Sequence, residues 1–439
     1  MGKIVVSVSF IRARIWIVTL VVLALVTAAC SASAEGKIGG TVRVLGSWTS
    51  GPEQEAFMAM VAPFEERTGV KVEYTGTRDL NGLLWASVAK GRPPDVAGLP
   101  GPGQMAEFAR HGALKDLAGV IDIAQYKSDT VPAFIELGTV DGKLVGVFIK
   151  ATLKGLIWFN PQMYTLDPPQ TWDELQQVAR RAARGGTSTW CVALESGATS
   201  GWPGTDWIED IVLRQSGPDV YDDWVAGQLP WTSPEIRSAF VTYGDVVDSA
   251  FGGPAAQLAT NFVDGGNALF SDPPGCLFHH QATFITEFFK SRAGARASEY
   301  DFFPFPEIDP RFSNSVTGAG DLFGMFTDTP QARALMQYLV TPEAQSIWVG
   351  SGGALSVNMR VTDYPDPLSQ RAAAVLTGAE RFRFDASDLM PENMNAGFNQ
   401  AVLDFTRDPA SLDAILQALE ATRQGAYSGD IFLVPPEGS

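Results

Sequence analysis

The side chains of this chain that could do chemistry are concentrated in one segment, positions 190 to 214. The segment carries tryptophans and carboxylates in close succession: Trp190, Glu195, Trp202, Asp206, Trp207, Glu209 and Asp210. Flat apolar rings beside carboxylate acceptors suit a ligand with both C–H faces and hydroxyl groups, as a sugar has. The same pattern fits a helix whose buried face includes Trp207, so core packing stays open as the alternative there. Trp202 and Asp206 are the main ligand candidates.

Three further candidates lie elsewhere in the chain. Trp48 follows Gly46 in a loop rich in Gly and Ser, which favours ligand stacking over core packing. Asp79 is placed to cap a helix or to accept from a hydroxyl group, and one residue can do both. Asp321 is either a ligand contact or a carboxylate that ends a strand in solvent. For Asp206 the alternative is an interaction with the dipole of the helix that it begins.

The elements that must position these residues begin with an alternation of strands and helices. Strands are predicted near 41–45, 71–74 and 94–99, and helices near 52–67, 79–90 and 104–110. Such alternation predicts a parallel sheet covered by helices. Ligands bind beyond the carboxyl ends of strands in sheets of this kind, so the loops with Trp48, Asp79 and positions 99–104 should converge.

Later segments depart from this alternation of strands and helices and predict a second lobe. Extended apolar runs occupy 143–150 and 155–159, and a capping box at Thr171 opens a helix. The chain is predicted to cross back near 302–306 and once more after Val357. The predicted N-terminal lobe is therefore 41–150 plus 304–357, and the C-terminal lobe is 151–303 plus 358–439. A chain of 439 residues is long enough for two such lobes.

Composition limits the classes of function. The chain is 45% apolar and 18% charged, as folded globular proteins are, and its net charge is −17. This acidic balance argues against nucleic-acid binding, which needs clustered Lys and Arg. Only three histidines are present, and no Cys/His spacing suggests zinc, so we expect neither a metal nor a cofactor.

The N-terminus resembles an export signal, predicted at 1–29 and followed by a tether at 30–40. Basic residues precede an apolar run from Ile15 to Ala29, and Cys30 follows the run directly. We favour lipidation of Cys30, which would anchor the protein at the outer face of the cytoplasmic membrane. Cleavage after Ala34 is the alternative, and either processing route exports the protein. The two remaining cysteines, Cys191 and Cys276, are then predicted to form a disulfide, with buried free thiols as the alternative.

Several motifs, in this order, resemble extracellular solute-binding proteins of family 1, the sugar-binding subunits of ABC importers. They are FEERTGVKV at 64–72, PDV at 94–96, PQTWDEL at 169–175 and YLVTPEAQ at 338–345. The segments 190–214, 272–280 and 382–391 look more narrowly like alpha-glucoside and related carbohydrate binders of that family. The resemblance spans nearly the whole chain after the tether.

The resemblance implies an α/β fold of two lobes, periplasmic-binding-protein-like, joined by crossover strands with the ligand between them. Matched position by position, one wall would use Trp48, Thr49 and the loop that ends at Gln104. The facing wall would use Ser200, Trp202 and Asp206, and the last crossover would add Phe398 and Asp321. The chain has Phe398-Asn399 where relatives often carry an aromatic pair, a departure that weakens the case for stacking there.

Three classes of function are weighed on these grounds. The first is a non-enzymatic receptor that closes on a carbohydrate, an oligosaccharide or alpha-glucoside, and delivers it as a monomer to a membrane permease. The second is a binder of another solute such as a polyamine, which a carboxylate-rich aromatic site would suit. The third is an exported glycoside hydrolase, which would need two carboxylates about 5 to 10 Å apart across a sugar.

Overall fold

The computed structural model of the protein describes residues 1–2 and 37–428. Most of the predicted signal peptide, and Cys30 with it, lies outside the described residues. None of the helices between residues 37 and 428 has the length and apolar character that spanning a bilayer requires. In the described part of the chain the strands are β1 (Thr41–Gly46), β2 (Lys71–Gly76), β3 (Val96–Leu99), β4 (Thr139–Val140), β5 (Lys143–Leu144), β6 (Gly146–Leu153), β7 (Leu156–Phe159), β8 (Ser188–Cys191), β9 (Cys276–His280), β10 (Asp301–Pro304), β11 (Ser315–Met325) and β12 (Arg381–Phe384).

The α-helices are named by their ranges. Those described are Pro52–Thr68, Leu80–Ala89, Pro102–Arg110, Ile123–Asp129, Pro132–Leu137, Trp172–Arg184, Trp202–Ser216, Pro218–Val225, Pro234–Asp248, Gly253–Ala259, Ile285–Ser291, Pro330–Leu339, Pro342–Ser351, Pro367–Thr377, Ala386–Leu389, Glu392–Arg407 and Leu412–Ala426. Capping explains several of the starts, since Asp79, Thr171 and Ser233 each accept a backbone N–H of the first turn. The predicted capping box at Thr171 is confirmed.

The larger sheet has the strand order β12-β11-β3-β1-β2, with β6 also paired to β11. Strand β1 is parallel to both β2 and β3, which confirms the parallel arrangement predicted for the first three strands. The whole sheet is mixed, because β11 runs antiparallel to β3 and β6. The helix Pro52–Thr68 covers it with the predicted apolar face, on which Phe57 and Phe64 are buried.

The smaller sheet has the order β10-β7-β9-β8. A disulfide joins Cys191 at the end of β8 to Cys276 at the start of β9, with the two Cα atoms 5.6 Å apart, as predicted. Two mixed sheets with flanking helices make this an α/β fold. The lobe boundaries stay a prediction: β6 continues past residue 150 to Leu153, and β12, from the segment assigned to the C-terminal lobe, pairs with β11 of the larger sheet.

Candidate functional site

Two adjoining cavities, of about 180 and 410 Å³, lie where loops of the larger sheet meet the segment before the helix Trp202–Ser216. We call them the small and the large cavity, and together the cleft. Ser47 follows β1, Arg78 follows β2 and Pro100 follows β3, and all three line both cavities. The carboxyl ends of these strands therefore converge on the cleft, as the alternation of strands and helices predicts.

Trp202 lines both cavities from the facing side. Its indole Nε1 donates to Ser196 Oγ at 3.0 Å, and its ring meets Phe262 edge-on with the centroids 5.1 Å apart. The side chain is half-buried. A ring held by a hydrogen bond and an aromatic neighbour loses little freedom on binding, so it offers a preformed stacking surface.

Trp48 lines the small cavity, but it is mainly a core residue. Only 6% of it is exposed, and its ring lies 4.7 Å from that of Trp348 and 5.5 Å from that of Phe57. The expected choice between stacking and packing therefore resolves largely in favour of packing, because a cluster of aromatic rings surrounds the indole.

Two lysines organise the charge of the cleft. Lys150 Nζ lies 2.8 Å from Glu53 and 3.1 Å from Asp321. Lys154 Nζ lies 2.8 Å from Asp206 and also contacts Asp385. Each ammonium is thus held by two carboxylates, and this pairing compensates the cost of burying the charges.

Burial and pairing act in opposite directions at Lys154. Desolvation disfavours its ammonium, but Asp206 and Asp385 outweigh this and raise the pKa of Lys154 well above its usual value. Burial raises the pKa of Asp206 in spite of the ammonium. Burial also opposes ionisation of Asp385, yet Lys154 keeps the pKa of that carboxyl below its ordinary value. The lysine and Asp385 are therefore the ionised pair, with Asp206 closer to neutrality.

Acidic side chains without a lysine line the large cavity. Burial raises the pKa of Glu392, and burial together with Asp385 raises that of Asp388 well above its ordinary value. Asp79 also lines this cavity, where it accepts the N–H of Gly82 at 3.2 Å as the predicted helix cap. Groups of this kind can donate to or accept from a ligand hydroxyl.

Four buried side-chain oxygens of residues that line the large cavity have no hydrogen-bond partner among the described residues. They are Asn81 Oδ1, Gln104 Oε1, Asp206 Oδ2 and Asn399 Oδ1. Gln104 is 1% exposed and Asp206 3%, so neither is generally hydrated. Unpaired buried acceptors are costly, and a ligand that donates hydrogen bonds would satisfy them.

Two predicted contacts, Thr49 and Ser200, are not among the residues that line the cleft. Thr49 is exposed. Ser200 Oγ accepts the N–H of Ser196 at 2.9 Å and donates to Gly197 O at 2.8 Å, which stabilises the turn before Trp202. Ser200 thus supports the wall of the cleft without lining either cavity.

The structure places Trp207 and Phe398, at which ligand contact was expected, in the core. Trp207 is 2% exposed and packs on Trp190, with the ring centroids 4.7 Å apart. Phe398 is fully buried against Trp231, 4.9 Å away. Both lie on helix faces that point into the core. For Trp207 this core packing is the alternative that the sequence left open.

Sequence reasoning missed the basic residues of the cleft, Arg78, Lys150 and Lys154. A signal was present for the lysines, since both follow buried apolar stretches in or next to β6. A lysine that interrupts or ends a fully buried strand requires a carboxylate partner. Arg78 carries no comparable signal, because it stands in a polar loop.

The carboxylates Asp206, Glu209 and Asp385 lie close enough to share a cation, with one oxygen of each within 4.8 Å of the others. Lys154 Nζ already contacts two of the three. The ammonium therefore supplies positive charge at the point where a metal ion would otherwise sit.

The fold and the cleft define a class of protein: two α/β lobes with an aromatic and polar ligand site. Comparison with known proteins narrows this class. The family model of the bacterial extracellular solute-binding proteins matches residues 59–377. The chain belongs to this family, which confirms the resemblance seen in its motifs.

Two relatives align along most of the chain. It is 37% identical over 364 residues to the osmoprotective compounds-binding protein GgtB of Synechocystis sp., covering 81% of this chain and 86% of that one. It is 35% identical over 395 residues to the alpha-glucosides-binding periplasmic protein AglE of Rhizobium meliloti, covering 85% of each. Among solved structures, a chitin oligosaccharide binding protein superposes with a TM-score of 0.78 at 16% identity, over 89% of this chain and all of that one, which shows the shared fold.

Proposed function

We propose that this protein is the extracytoplasmic substrate-binding subunit of an ABC importer and that its cleft binds a carbohydrate, in particular an alpha-glucoside or a related glycoside. One observation carries the proposal: Trp202 offers a fixed apolar surface in a cavity where Gln104 and Asp206 present unpaired buried oxygens. A sugar supplies both complements, a C–H face for the ring and hydroxyl groups, which both donate and accept, for the oxygens. The name of one relative, the alpha-glucosides-binding protein of Rhizobium meliloti, supports the same class of ligand.

The mechanism that we propose is closure. The cleft has Ser47 and Pro100 on one side and Trp202 on the other, so a ligand between them contacts both and favours the closed arrangement. A permease then recognises the closed protein. The two lysine clusters are already neutralised by carboxylates, so they hold the walls in place without requiring a charged ligand.

The protein acts in this proposal as a receptor and not as an enzyme. It is exported, works as a monomer in the periplasm or at the cell surface, and is held at the membrane through lipid on Cys30. The export and the anchor rest on the N-terminal sequence and on the family, since Cys30 lies outside the described residues.

A second candidate ligand is a cationic solute such as a polyamine. It is favoured by Asp79, Asp388 and Glu392, acidic side chains of the large cavity for which the structure describes no ion pair with a lysine or arginine. A polyamine would need these groups ionised, whereas burial favours the neutral form of Asp388 and Glu392. This cost places the cation second.

Thermal unfolding with and without ligand separates the two candidates. We expect maltose, trehalose or sucrose to raise the melting temperature, because a ligand that binds the folded state stabilises it. Spermidine should give no rise at the same concentration. A shift with spermidine and with none of the glycosides would replace the carbohydrate by the cation.

A further inference from the structure

Arg78 crosses the cleft. It follows β2 of the larger sheet, and its Nη2 donates to Ser196 Oγ at 2.6 Å and to Thr199 Oγ1 at 2.9 Å, in the segment after β8 of the smaller sheet. Its Nη1 donates to Ser47 O at 3.4 Å on its own side. The guanidinium therefore connects the loop that carries Trp48 to the segment that precedes Trp202.

The guanidinium of Arg78 is held in place by more than these hydrogen bonds. Ser196 Oγ, which accepts from Arg78, also accepts from Trp202 Nε1 at 3.0 Å. The guanidinium carbon lies 5.4 Å from the ring centroid of Phe262, in the range of a cation–π contact. Arg78 thus orients the aromatic wall as well as spanning the gap.

Arg78 differs from the two lysines of the cleft in its partners. Lys150 and Lys154 each contact two carboxylates, whereas no carboxylate among the described residues forms a salt bridge with Arg78. Burial lowers the pKa of Arg78. A desolvated guanidinium is costly to displace, because it would lose its charge-assisted bonds to Ser196 and Thr199.

The position of Arg78 affects how long a ligand the cleft can hold. Arg78 lines both the small and the large cavity, as Ser47, Pro100 and Trp202 also do, and its guanidinium is hydrogen-bonded to both sides of the cleft there. A ligand confined to one cavity leaves the bonds of Arg78 intact. A longer chain that ran through both would have to push the guanidinium aside.

On the basis of the proposed carbohydrate function, we propose that Arg78 is a specificity-determining residue that forms a bar between the two cavities. The bar restricts the ligand to a short glycoside of about one or two sugar units and excludes oligosaccharides. The hydrogen bonds of Arg78 to Ser196 and Thr199 set this limit on ligand length. The large cavity, about 410 Å³, is the compartment that holds the short ligand, since it contains the unpaired oxygens of Gln104 and Asp206.

Calorimetric titration with two series of increasing length tests this inference. The series are maltose, maltotriose and maltohexaose, and sucrose, raffinose and stachyose. In the wild type we expect the affinity for the longest members to be at least about tenfold below that for the disaccharide of the series that binds. In Arg78→Ala the ratio of the affinity for the disaccharide to that for the longest member should fall to about threefold or less, because no guanidinium then separates the two cavities.

Two further variants complete the design. Thr199→Val removes one acceptor of the bar without touching Arg78 and should move the ratio in the same direction by a smaller factor. Arg407→Ala is the matched control, since Arg407 is an exposed arginine paired with Asp404 outside the cleft. It should leave the ratio unchanged.

The outcomes separate this inference from the proposed function. Equal affinity of the wild type for short and long members would overturn the bar while leaving carbohydrate binding intact. A uniform loss of affinity for every length in Arg78→Ala would also overturn it, because Arg78 would then be an ordinary ligand contact. Binding of no sugar by the wild type would refute the proposed function and this inference together.

Discussion

Lys154→Met is the substitution whose effect the structure predicts most sharply. The ammonium lies between two carboxylates, 2.8 Å from Asp206 and in contact with Asp385, whose side chains are 2% and 1% exposed. Methionine keeps most of the length and the apolar stem of the lysine and removes the ammonium, with its charge and its N–H donors. Asp206 and Asp385 are then left buried next to each other without a counter-ion.

The magnitude follows from this burial. Removing one partner of a buried ion pair costs about 3–5 kcal/mol, since an uncompensated charge remains. The loss should depend on pH. Burial already raises the pKa of Asp206 in the wild type; without the ammonium it rises further, and the pKa of Asp385 also rises above that in the unfolded state. The folded variant therefore binds more protons than the folded wild type from about pH 4 upward. The unfolding free energy of the variant should therefore fall, relative to wild type, as the pH rises from 5 to 8.

Urea unfolding at pH 5 and pH 8 measures both effects. Lys71→Met is the matched control, because Lys71 pairs with Glu65 at the surface and should change stability by about 1 kcal/mol or less. The double variant Lys154→Met with Asp206→Asn should recover part of the loss, since one unpaired carboxylate is gone. A cost for Lys154→Met no larger than that of Lys71→Met, or one that is the same at both pH values, would refute the account of this cluster.

Three other predictions concern the scaffold. Trp48→Ala should lower the unfolding free energy by about 3–5 kcal/mol in urea, because its ring is enclosed by aromatic neighbours; a loss under about 1 kcal/mol would return Trp48 to the role of a ligand-facing residue. Burial lowers the pKa of His279 to about 4, so between about pH 4 and 6.5 the unfolded state binds the extra proton and stability rises with pH; His279→Gln should flatten that slope in pH-dependent urea unfolding, and an unchanged slope would contradict the assignment. Replacing Cys191 and Cys276 together by alanine should cost about 4 kcal/mol, since the bond closes a loop of 85 residues; equal urea midpoints for the variant and the unreduced wild type would contradict this.

Local features of the fold could be predicted because their causes are local. The caps at Asp79, Thr171 and Ser233 depend on a side chain and a backbone N–H three residues away, so the sequence shows them directly. The same is true of the alternation that brings the carboxyl ends of β1, β2 and β3 together. Strand β11 was harder to anticipate, because its antiparallel pairing with β3 and β6 depends on a return of the chain from the other lobe.

The site was predicted only in part, because its contacts join distant positions. Lys154 contacts Asp385 across 231 residues, and Arg78 reaches Thr199 across 121. No local sequence pattern indicates contacts between residues so far apart in the chain. Trp202, Asp206 and Gln104, to which residue type and the family motif both pointed, line the cleft. Phe398 was expected there from the motif and lies in the core.

The central claim is that the cleft beside Trp202 binds a glycoside, and calorimetry on Trp202→Ala tests it most directly. The titrant is the glycoside that gives the largest thermal shift with the wild type. Trp85→Ala is the control, because Trp85 is a half-buried tryptophan outside the cleft that stacks on Phe108 at 4.2 Å. We predict one saturable site in the wild type and in Trp85→Ala, and an affinity at least about tenfold weaker in Trp202→Ala. Equal affinity in all three proteins would contradict the account.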